Sequence, residues 1–392
     1  MRHVFIIGCK GLPANYGGFE TFVEQLTGHR VSPDVQYHVA CAVESKPSQQ
    51  DFINNNAHCH RIQWRPLGSA RAIFYDLDAL SWAIGYARDN HVKQPIFYVL
   101  ACRIGPFIHH YLKRIHRLGG LLFVNPDGHE WKRAKWNAPT RKYWKISERL
   151  MVKHADLLVC DSTTIEQYIH REYKVYKPKT IFIAYGANLH DEETEQTRKT
   201  LESWFSRHHV SDRNYYLIVG RFVPENNYET MIREFMASHT HKDLVIITKA
   251  EGAFFVSLQN TTGFKADSRI KFVGTVYDQS LLQSIRDHAF AYLHGHEAGG
   301  TNPSLLEALA STQLNMLLNI GFNREVAQDA ALYWDKTIGS LSQLIDAAES
   351  YTTKDLQRYN KAAKDRIRTT YSWDSIVAKY EHLFLAADGK EC

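Results

Sequence analysis

The sequence has no apolar run that approaches the roughly 18 residues needed to cross a bilayer. Residues 1–8 lead directly into a strand-like pattern, so no signal peptide is expected there. The six cysteines are scattered without a Cys-x-x-Cys pair, which excludes a zinc ribbon and a disulfide framework. With 22 glycines and 11 prolines, collagen-like and low-complexity classes are also excluded. We therefore expect a globular protein of the reducing cytosol.

What the sequence does contain is an alternation of short strand-like runs and helical stretches. A chain of 392 residues with 44% hydrophobic residues is suited to two domains. In the first half the predicted strands lie at residues 4–8, 96–100, 121–125, 157–160 and 181–184. After a polar stretch at 191–213, further strands are predicted at 215–220, 244–248, 270–273, 290–294 and 316–318. This pattern predicts an α/β fold of two Rossmann-like, doubly wound domains that face each other across a cleft.

The predicted domains cover residues 1–190 and 210–371. Apolar residues at 373, 376, 377, 380, 383 and 384 predict an amphipathic helix after Ser372, over 372–388. Ligands of doubly wound sheets bind in the loops at the carboxyl ends of the strands. Those loops are therefore where a functional site is expected.

Two loops of the first domain carry candidate residues. The first ends in Gly17 and Gly18 at a helix start, where a phosphate can approach free N–H groups; a plain turn is the alternative. The loop after 121–125 places Asp127, His129 and Glu130 within four residues, which predicts a catalytic group that positions a hydroxyl nucleophile. The alternative is that Asp127 caps a helix and the neighbouring tryptophans pack.

The second domain has its own candidate loops. Arg221 follows a strand-ending glycine, and its guanidinium is a natural phosphate ligand. The alternative is that Arg221 only forms a surface ion pair with Glu225. The small residues of the next loop predict an anion-binding nest for a diphosphate, unless Asn302 or Ser304 only caps the helix. The nest comprises Gly299, Gly300, Thr301, Asn302, Pro303, Ser304 and Leu305. Glu307, one turn later, is predicted to reach a ribose hydroxyl. No metal site is predicted at His294 and His296, because further ligands would be required.

A basic block spans residues 113–153, with eleven lysines and arginines against three acidic residues. It indicates an anionic partner, or else a solvated helix face. Nucleic acid is not expected, since the block lacks a known recognition motif. An anionic membrane surface that carries the acceptor is the predicted partner. The residues predicted to form this patch are Lys132, Arg133, Lys135, Arg141, Lys142 and Lys145.

Five segments resemble one known family. They read G-L-P-A-N-Y-G-G-F-E-T-F at 11–22, D-G-H-E-W-K-R-A-K-W at 127–136, G-R-F-V-P-E-N-N at 220–227, G-G-T-N-P-S-L-L-E-A at 299–308 and Y-S-W-D-S-I-V-A-K-Y-E at 371–381. Over nearly its whole length the sequence resembles the GT-B glycosyltransferases of family 4. The resemblance is greatest to the bacterial rhamnosyltransferase branch of capsule and surface-polysaccharide assembly. In that family the last helix crosses back onto the first domain.

The resemblance implies retaining transfer of a sugar from a nucleotide diphosphate sugar. The favoured donor is dTDP-L-rhamnose and the acceptor is a polyprenyl-diphosphate-linked saccharide. No cofactor and no obligatory metal are implied, and the enzyme would lie on the cytoplasmic face of the cell membrane. Arg221 would hold the diphosphate, the amides around Thr301–Leu305 its distal phosphate, and Glu307 the ribose. Gly17 and Gly18 would approach the phosphate or sugar.

Two departures from the wider family leave alternatives open. Asn226 stands where many relatives carry a lysine, and Lys249 is the replacement we expect. Gly299 stands where the first glutamate of an E-x7-E pair is usual, so only Glu307 of that pair remains. A donor such as a UDP-hexose or UDP-N-acetylhexosamine is therefore an alternative. A second is a catalytically silent subunit that binds a nucleotide sugar.

Overall fold

A computed structural model describes residues 1–14, 17–45, 51–132, 136–189, 193–297 and 302–387. The chain divides into two compact units. Unit 1 comprises Met1–Tyr185 and Trp373–Cys392, and unit 2 comprises Gly186–Ser372. Within the described ranges, no helix is both long and apolar enough to span a bilayer.

Unit 1 is built on a sheet that has eight strands in the described residues, in the order β3-β4-β2-β1-β5-β6-β7-β8, antiparallel only between β3 and β4. Its strands are β1 (Arg2–Ile7), β2 (Val35–Val43), β3 (Asp51–Asn54), β4 (Ala57–Gln63), β5 (Ile96–Leu100), β6 (Leu121–Asn125), β7 (Leu157–Cys160) and β8 (Thr180–Phe182). Its helices before unit 2 are α1 (Gly18–Gly28), α2 (Arg71–Asp89), α3 (Gly105–Arg117), α4 (Ala138–His154) and α5 (Thr163–Glu172).

Unit 2 has a second parallel sheet, whose described strands follow the order β11-β10-β9-β12-β13-β14. They are β9 (Tyr215–Val219), β10 (Asp243–Ile247), β11 (Ile270–Gly274), β12 (Ala291–His294), β13 (Asn315–Leu318) and β14 (Leu332–Trp334). The helices are α6 (Glu195–His208), α7 (Tyr228–Ala237), α8 (Gly252–Thr262), α9 (Gln279–Asp287), α10 (Pro303–Ser311), α11 (Gly321–Ala327), α12 (Ser340–Ala348) and α13 (Thr353–Arg366). The final helix, α14 (Trp373–Ala386), belongs to unit 1.

The predicted fold class is confirmed, because each unit is a doubly wound α/β sheet. The unit boundaries differ from the predicted domain boundaries at the polar stretch 191–213. Helix α6 forms within this stretch and buries Leu201 and Trp204 against Tyr215 and Leu217 of β9. Burial of these two side chains explains why the stretch belongs to unit 2 and does not form a linker.

Strand order locates where each sheet can bind a ligand. In unit 1 the order reverses between β1 and β5, and in unit 2 it reverses between β9 and β12. Loops that leave two such strands diverge to opposite faces of the sheet and open a crevice at their carboxyl ends. The loops after β1, β5, β9 and β12 are therefore where a ligand is expected to bind.

Helix α14 is joined to unit 1 by a buried carboxylate. Glu381 accepts hydrogen bonds from the Val31 N–H at 3.1 Å, the Ser32 N–H at 2.6 Å and the Tyr37 hydroxyl at 3.3 Å. On the preceding residue, the buried Tyr380, the hydroxyl lies 3.2 Å from that of Tyr98 on β5. Apolar packing and these polar contacts together fix α14 on the sheet.

Three histidines cross the unit 1 sheet in a row from β1 to β4. In this histidine row, His3 Nδ1 lies 2.9 Å from His38 Nε2, and His38 Nδ1 lies 3.3 Å from His60 Nε2. His60 Nδ1 lies 2.8 Å from the carboxylate of Asp51 on β3. A single donor direction satisfies every contact: each neutral ring donates from Nδ1 to the next member, and His60 donates to Asp51. Burial and the neighbouring rings His3, His60 and His58 lower the pKa of His38 to about 2.

Candidate functional site

The carboxyl edge of the unit 1 sheet concentrates unusual backbone conformations. Ala101 after β5 has φ of 72°, and Asp127 and His129 after β6 have φ of 57° and 55°. Such values are uncommon for residues with a side chain and cluster at functional sites. Between them, Gly128 has φ of 87°, and a Cβ there would lie 2.2 Å from the Ile165 side chain. The loop is thus held in a conformation that the chain alone would not favour.

An arginine at the β1/β5 reversal was missed by the sequence analysis as a principal site residue. Arg103 Nη1 donates to the Gly8 carbonyl at 2.8 Å and to Asp76 Oδ2 at 3.1 Å. Asp76 is fully buried, and burial raises its pKa to about 6 despite the arginine. The available signal was a basic residue shortly after a buried strand, the same signal that identified Arg221.

The predicted catalytic residues Asp127 and Glu130 lie in the electrostatic field of Arg103. Against the lowering effect of burial, the carboxylates of Asp76, Asp127 and Glu130 raise the pKa of the Arg103 guanidinium. The Asp127 N–H donates to Asn125 Oδ1 at 2.8 Å, which fixes the turn. Glu130 accepts from Trp136 Nε1 at 2.9 Å. The structure thus associates two predicted carboxylates with one cation at the edge of the sheet.

His129, the third predicted catalytic residue, is packed rather than open. Its ring centroid lies 4.1 Å from that of Tyr168. Burial, together with Lys132 and Lys145, lowers the pKa of His129 to about 4. At neutral pH the ring is therefore uncharged.

Glycine at position 17 is favoured by its backbone conformation, and the carboxylate of Glu20 lies close to it. Gly17 has φ of 136°, and a Cβ there would lie 1.9 Å from Glu20 Oε2. Glu20 also accepts from the Lys10 N–H at 2.7 Å and so closes the loop onto α1. At Gly18, no described atom would lie within 4 Å of an added Cβ. The start of α1 is thus open to a ligand on the side of Gly18.

In unit 2, Arg221 directly follows the switch-point strand β9. Its side chain is exposed, and its guanidinium makes no hydrogen bond within the described part of the chain. Asn226 Nδ2 donates to the Arg221 carbonyl at 2.7 Å, and Asn226 Oδ1 lies 2.7 Å from His296 Nδ1. The amide of Asn226 thus links two loops of the protein, which counts against its predicted contact with the donor.

Lys249, the expected replacement for the family lysine, lies at the end of β10. Its side chain is 70% exposed and pairs with Glu251 at 2.8 Å. A donor phosphate would compete with that carboxylate. Arg221 is the better-placed cation, since it follows β9 at the strand-order reversal.

The predicted anion nest is only partly described, because Gly299, Gly300 and Thr301 lie outside the described residues. Asn302 caps α10: its Oδ1 accepts from the Ser304 N–H at 2.9 Å, and its carbonyl accepts from the Leu305 N–H at 3.0 Å. Pro303 has no N–H to offer. Asn302 is thus a helix cap, and the N–H groups of Ser304 and Leu305, which were expected to be free, are already hydrogen-bonded within the protein.

Glu307 has a partner that the sequence analysis missed. Arg286 on α9 has only 4% of its side chain exposed, and its guanidinium Nη2 lies 2.5 Å from Glu307 Oε2. The same nitrogen lies 3.4 Å from Ser304 Oγ. Within the part of the chain that the structure describes, Arg286 Nε has no hydrogen-bond partner. Glu307 is thus anchored on its inner side, although its own side chain remains one-third exposed.

His294 ends β12 on the other side of the unit 2 reversal. Burial, with His296 nearby, lowers its pKa to about 3. Its Nε2 has no hydrogen-bond partner among the described residues. No group of three or more His, Cys, Asp or Glu side chains in the described ranges is arranged to hold a metal ion.

The structure describes four of the six residues predicted to form the basic patch. Lys132, Arg141 and Lys142 are exposed, whereas Arg133 and Lys135 lie outside the described residues. Lys145 is engaged inside the protein: its Nζ lies 2.7 Å from Glu172 Oε1 and 4.6 Å from the centroid of the Trp131 ring. These contacts fix the loop after β6 and remove Lys145 from the lipid-docking set.

Residues 1–188 match a family model described as a domain of unknown function, DUF1972. No curated protein matches the chain significantly. Among solved structures, sucrose-phosphate synthase from Thermosynechococcus elongatus is 16% identical with a TM-score of 0.74, over 98% of this chain and 100% of that one.

Two further structures share the architecture. An α,α-trehalose-phosphate synthase (UDP-forming) from Burkholderia xenovorans, in complex with glucose-6-phosphate, is 11% identical with a TM-score of 0.72. The match covers 98% of this chain and 100% of that one. HepE from Anabaena in complex with UDP is 12% identical with a TM-score of 0.68, over 99% and 100% of the two chains. The chain therefore has the GT-B fold that its sequence motifs implied.

Proposed function

We propose that this protein is a retaining glycosyltransferase that transfers a hexosyl group from a nucleotide diphosphate sugar. The observation that carries the proposal is Arg221, an exposed guanidinium directly after the switch-point strand of unit 2. A guanidinium at this position forms charge-assisted hydrogen bonds to a diphosphate. HepE, which has the same fold, is in complex with UDP.

The donor we propose is dTDP-L-rhamnose, on the basis of the motifs at 11–22 and 127–136. Isothermal titration calorimetry with dTDP-L-rhamnose, UDP-glucose and UDP-N-acetylgalactosamine tests this choice. Tighter binding of a UDP sugar would replace the donor and keep the reaction class. Slow release of nucleotide diphosphate without acceptor would distinguish an enzyme from a silent binding subunit, which would bind the donor and release nothing.

The Arg221→Ala variant is expected to bind nucleotide diphosphate about ten- to a hundredfold more weakly. The reason is the loss of charge-assisted hydrogen bonds worth roughly 1.5–3 kcal/mol. Calorimetry with dTDP and UDP measures the change. Arg233→Ala is the matched control, because Arg233 is an exposed arginine of unit 2 that pairs with Glu229 on the same helix. Equal affinity of Arg221→Ala and wild type would remove Arg221 from the site.

We propose that the acceptor is a polyprenyl-diphosphate-linked saccharide in the cytoplasmic leaflet of the membrane. Helix α4 begins with the exposed cations Arg141 and Lys142, and Lys132 precedes it. Helix α3 packs on α4 and exposes Lys113, Arg117 and 42% of Phe107. Cations beside an exposed aromatic side chain favour the surface of an anionic bilayer.

Replacing Lys132, Arg141 and Lys142 together by glutamine is expected to weaken binding to anionic liposomes. Each cation near such a surface contributes about 1 kcal/mol, and salt screens the effect. Sedimentation with phosphatidylglycerol vesicles at low and high salt provides the measurement. The control replaces the exposed Lys199, Lys354 and Lys361 of unit 2. Nucleotide binding should be unchanged in both variants, and equal sedimentation of wild type with neutral vesicles would contradict the membrane assignment.

A further inference from the structure

An open cavity of about 380 Å³ lies in unit 2 at the edge of the sheet where β9, β12 and β13 begin. Its lining comes from the segments just before these three strands and from α13. The lining residues include Arg213, Phe290, Gln313, Leu356, Gln357 and Asn360. None of the described residues that line it belongs to the predicted donor site, which lies at the opposite edge of the sheet. Ligand pockets in proteins occupy about 300–1,000 Å³, so the cavity can hold a small molecule.

Two side-chain amides in this cavity have hydrogen-bonding capacity that the protein does not use. Gln357 and Asn360 lie three residues apart and so share one face of α13. Within the described part of the chain neither amide has a hydrogen-bond partner, and Asn360 Oδ1 is buried. A buried polar atom without a partner is rare in native proteins and destabilises the fold. A partner from outside the chain is therefore expected at Asn360.

The polar groups before β9 and β13 are held only loosely. Arg213 Nη1 lies 3.4 Å from the Ala289 carbonyl oxygen, and Gln313 Nε2 lies 3.4 Å from that of Phe290. These distances are at the long end for N–H···O hydrogen bonds, so both groups can donate to a ligand as well. Arg213 Nε also lies 3.9 Å from Asp212 Oδ1. Because a carboxylate already accompanies the guanidinium, the cavity favours a neutral ligand over an anion.

Apolar side chains complete the cavity and restrict the class of ligand further. Phe290 is 8% exposed, and Leu356 packs partly buried against the core of unit 2. The ligand thus needs an apolar surface beside several groups that both donate and accept hydrogen bonds. A pyranose sugar has these properties, because each hydroxyl can donate and accept and the ring C–H groups pack on apolar side chains.

We infer that this cavity is a saccharide-binding site separate from the site of sugar transfer. The three amides and the Arg213 guanidinium hydrogen bond to the hydroxyls of the saccharide, and its ring packs on Phe290 and Leu356. The ligand class is a neutral saccharide, as in a segment of a polysaccharide chain. Since the site lies at the edge of the sheet away from Arg221, the inference goes beyond the proposed function and does not require it.

Saturation-transfer difference NMR on the whole protein tests the inference, with methyl α-L-rhamnoside and maltose as probes in the presence of UDP. Wild type is expected to bind at least one probe. Replacing Gln357 and Asn360 together by alanine should lower the affinity for that probe at least about tenfold, because several hydrogen bonds are lost. Alanine is the best helix former, so α13 is retained. Calorimetry with UDP should show unchanged nucleotide affinity.

The matched control combines Asn260→Ala with Gln343→Ala, because both are exposed amides on other helices of unit 2. This control should keep the wild-type affinity for the probe. Gln357→Ala alone, at an exposed position, is the second variant if the double variant does not fold, and it should weaken binding at least about threefold.

Three results would overturn the inference. They are equal probe affinity of wild type and the folded double variant, displacement of the probe by inorganic phosphate, and failure of wild type to bind either probe. Failure of wild type to bind UDP would instead count against the proposed function and leave the saccharide site standing.

Discussion

Asp127→Asn and Glu130→Gln are each expected to lower turnover at least ~10²-fold while donor affinity stays nearly unchanged. The acceptor hydroxyl must be oriented and must lose its proton as the new glycosidic bond forms. In the proposed retaining reaction the departing donor phosphate takes that proton, so these carboxylates act mainly by positioning the acceptor. Positioning losses of this kind are typically about 10²–10⁴-fold in rate.

The structure makes both variants well matched to wild type. Asparagine tolerates the left-handed backbone that Asp127 adopts at φ of 57°, so Asp127→Asn removes charge without removing the turn. Glutamine at position 130 can still accept from Trp136 Nε1, so Glu130→Gln keeps the loop contact. Steady-state transfer to a synthetic lipid-linked acceptor, with donor titration alongside, measures the effects.

His129→Leu is expected to cost much less, because the ring is packed on Tyr168 and uncharged at neutral pH. Leucine is strained at the left-handed φ of 55°, so His129→Asn is the matched control for the backbone. Near-normal turnover in both Asp127→Asn and Glu130→Gln would contradict the assignment of these carboxylates to the acceptor. That result would instead favour Arg103, His294 and Glu297 as the residues that act on the acceptor; Glu297 lies three residues after His294.

The free energy of unfolding is expected to fall by several kcal/mol between pH 7.5 and pH 5. His38 and His129 in unit 1 and His294 in unit 2 have pKa values lowered by burial to about 2, about 4 and about 3. Because an unfolded histidine titrates near 6.5, the unfolded state binds more protons below that pH. Stability is therefore present above pH 6.5 and is lost as the pH falls.

Each of these histidines accounts for a loss of about 2 kcal/mol at pH 5, because the unfolded side chain is protonated and the folded one is not. Asp76 acts in the opposite direction. Its folded pKa, raised to about 6 by burial, favours the folded state at low pH and offsets about 1 kcal/mol in unit 1. The histidines outweigh this single carboxyl.

Urea unfolding followed by circular dichroism at the two pH values measures the loss. In His38→Gln the difference between the two pH values should shrink by about 2 kcal/mol, since one buried titrating group is gone. The exposed His239 provides the control His239→Gln, which should retain the wild-type difference. If His38→Gln kept the full difference, His38 would not contribute to the acid sensitivity.

The strands that the sequence predicted are those with continuous apolar runs. β5, β6 and β7 were predicted with their observed ends, and β1 and β8 to within two residues. β2, β3 and β4 in unit 1 and the three-residue β14 in unit 2 were not predicted. In 35–43 and 51–63 the apolar residues are interrupted by histidine, glutamine or asparagine. His60 is buried there because its ring hydrogen bonds to His38 and Asp51, a solution that only the paired strands reveal.

Some residues of the candidate site could also be predicted from the sequence, and others could not. Asp127, Glu130 and Arg221 stand directly after strands, so chain position alone identified them. Arg286 and Asp76 lie in helices that look ordinary in sequence, and their importance arises from partners 21 and 27 residues away. Asn302 shows the converse: the capping residue was visible in the sequence, but only the structure shows that it already holds the amides expected to be free.

The return of α14 to unit 1 has a consequence for the order in which the chain can fold. Unit 2 is encoded entirely by 186–372, so every residue it needs is synthesised before α14 emerges from the ribosome. Unit 1 is synthesised first, but α14 is its last element. The surface around Phe22, Tyr37 and Tyr98 therefore stays uncovered until residues 373–386 are made. Domains usually fold N-terminal first during synthesis. Here the second unit can be completed before the first, because all of its residues precede α14 in the chain.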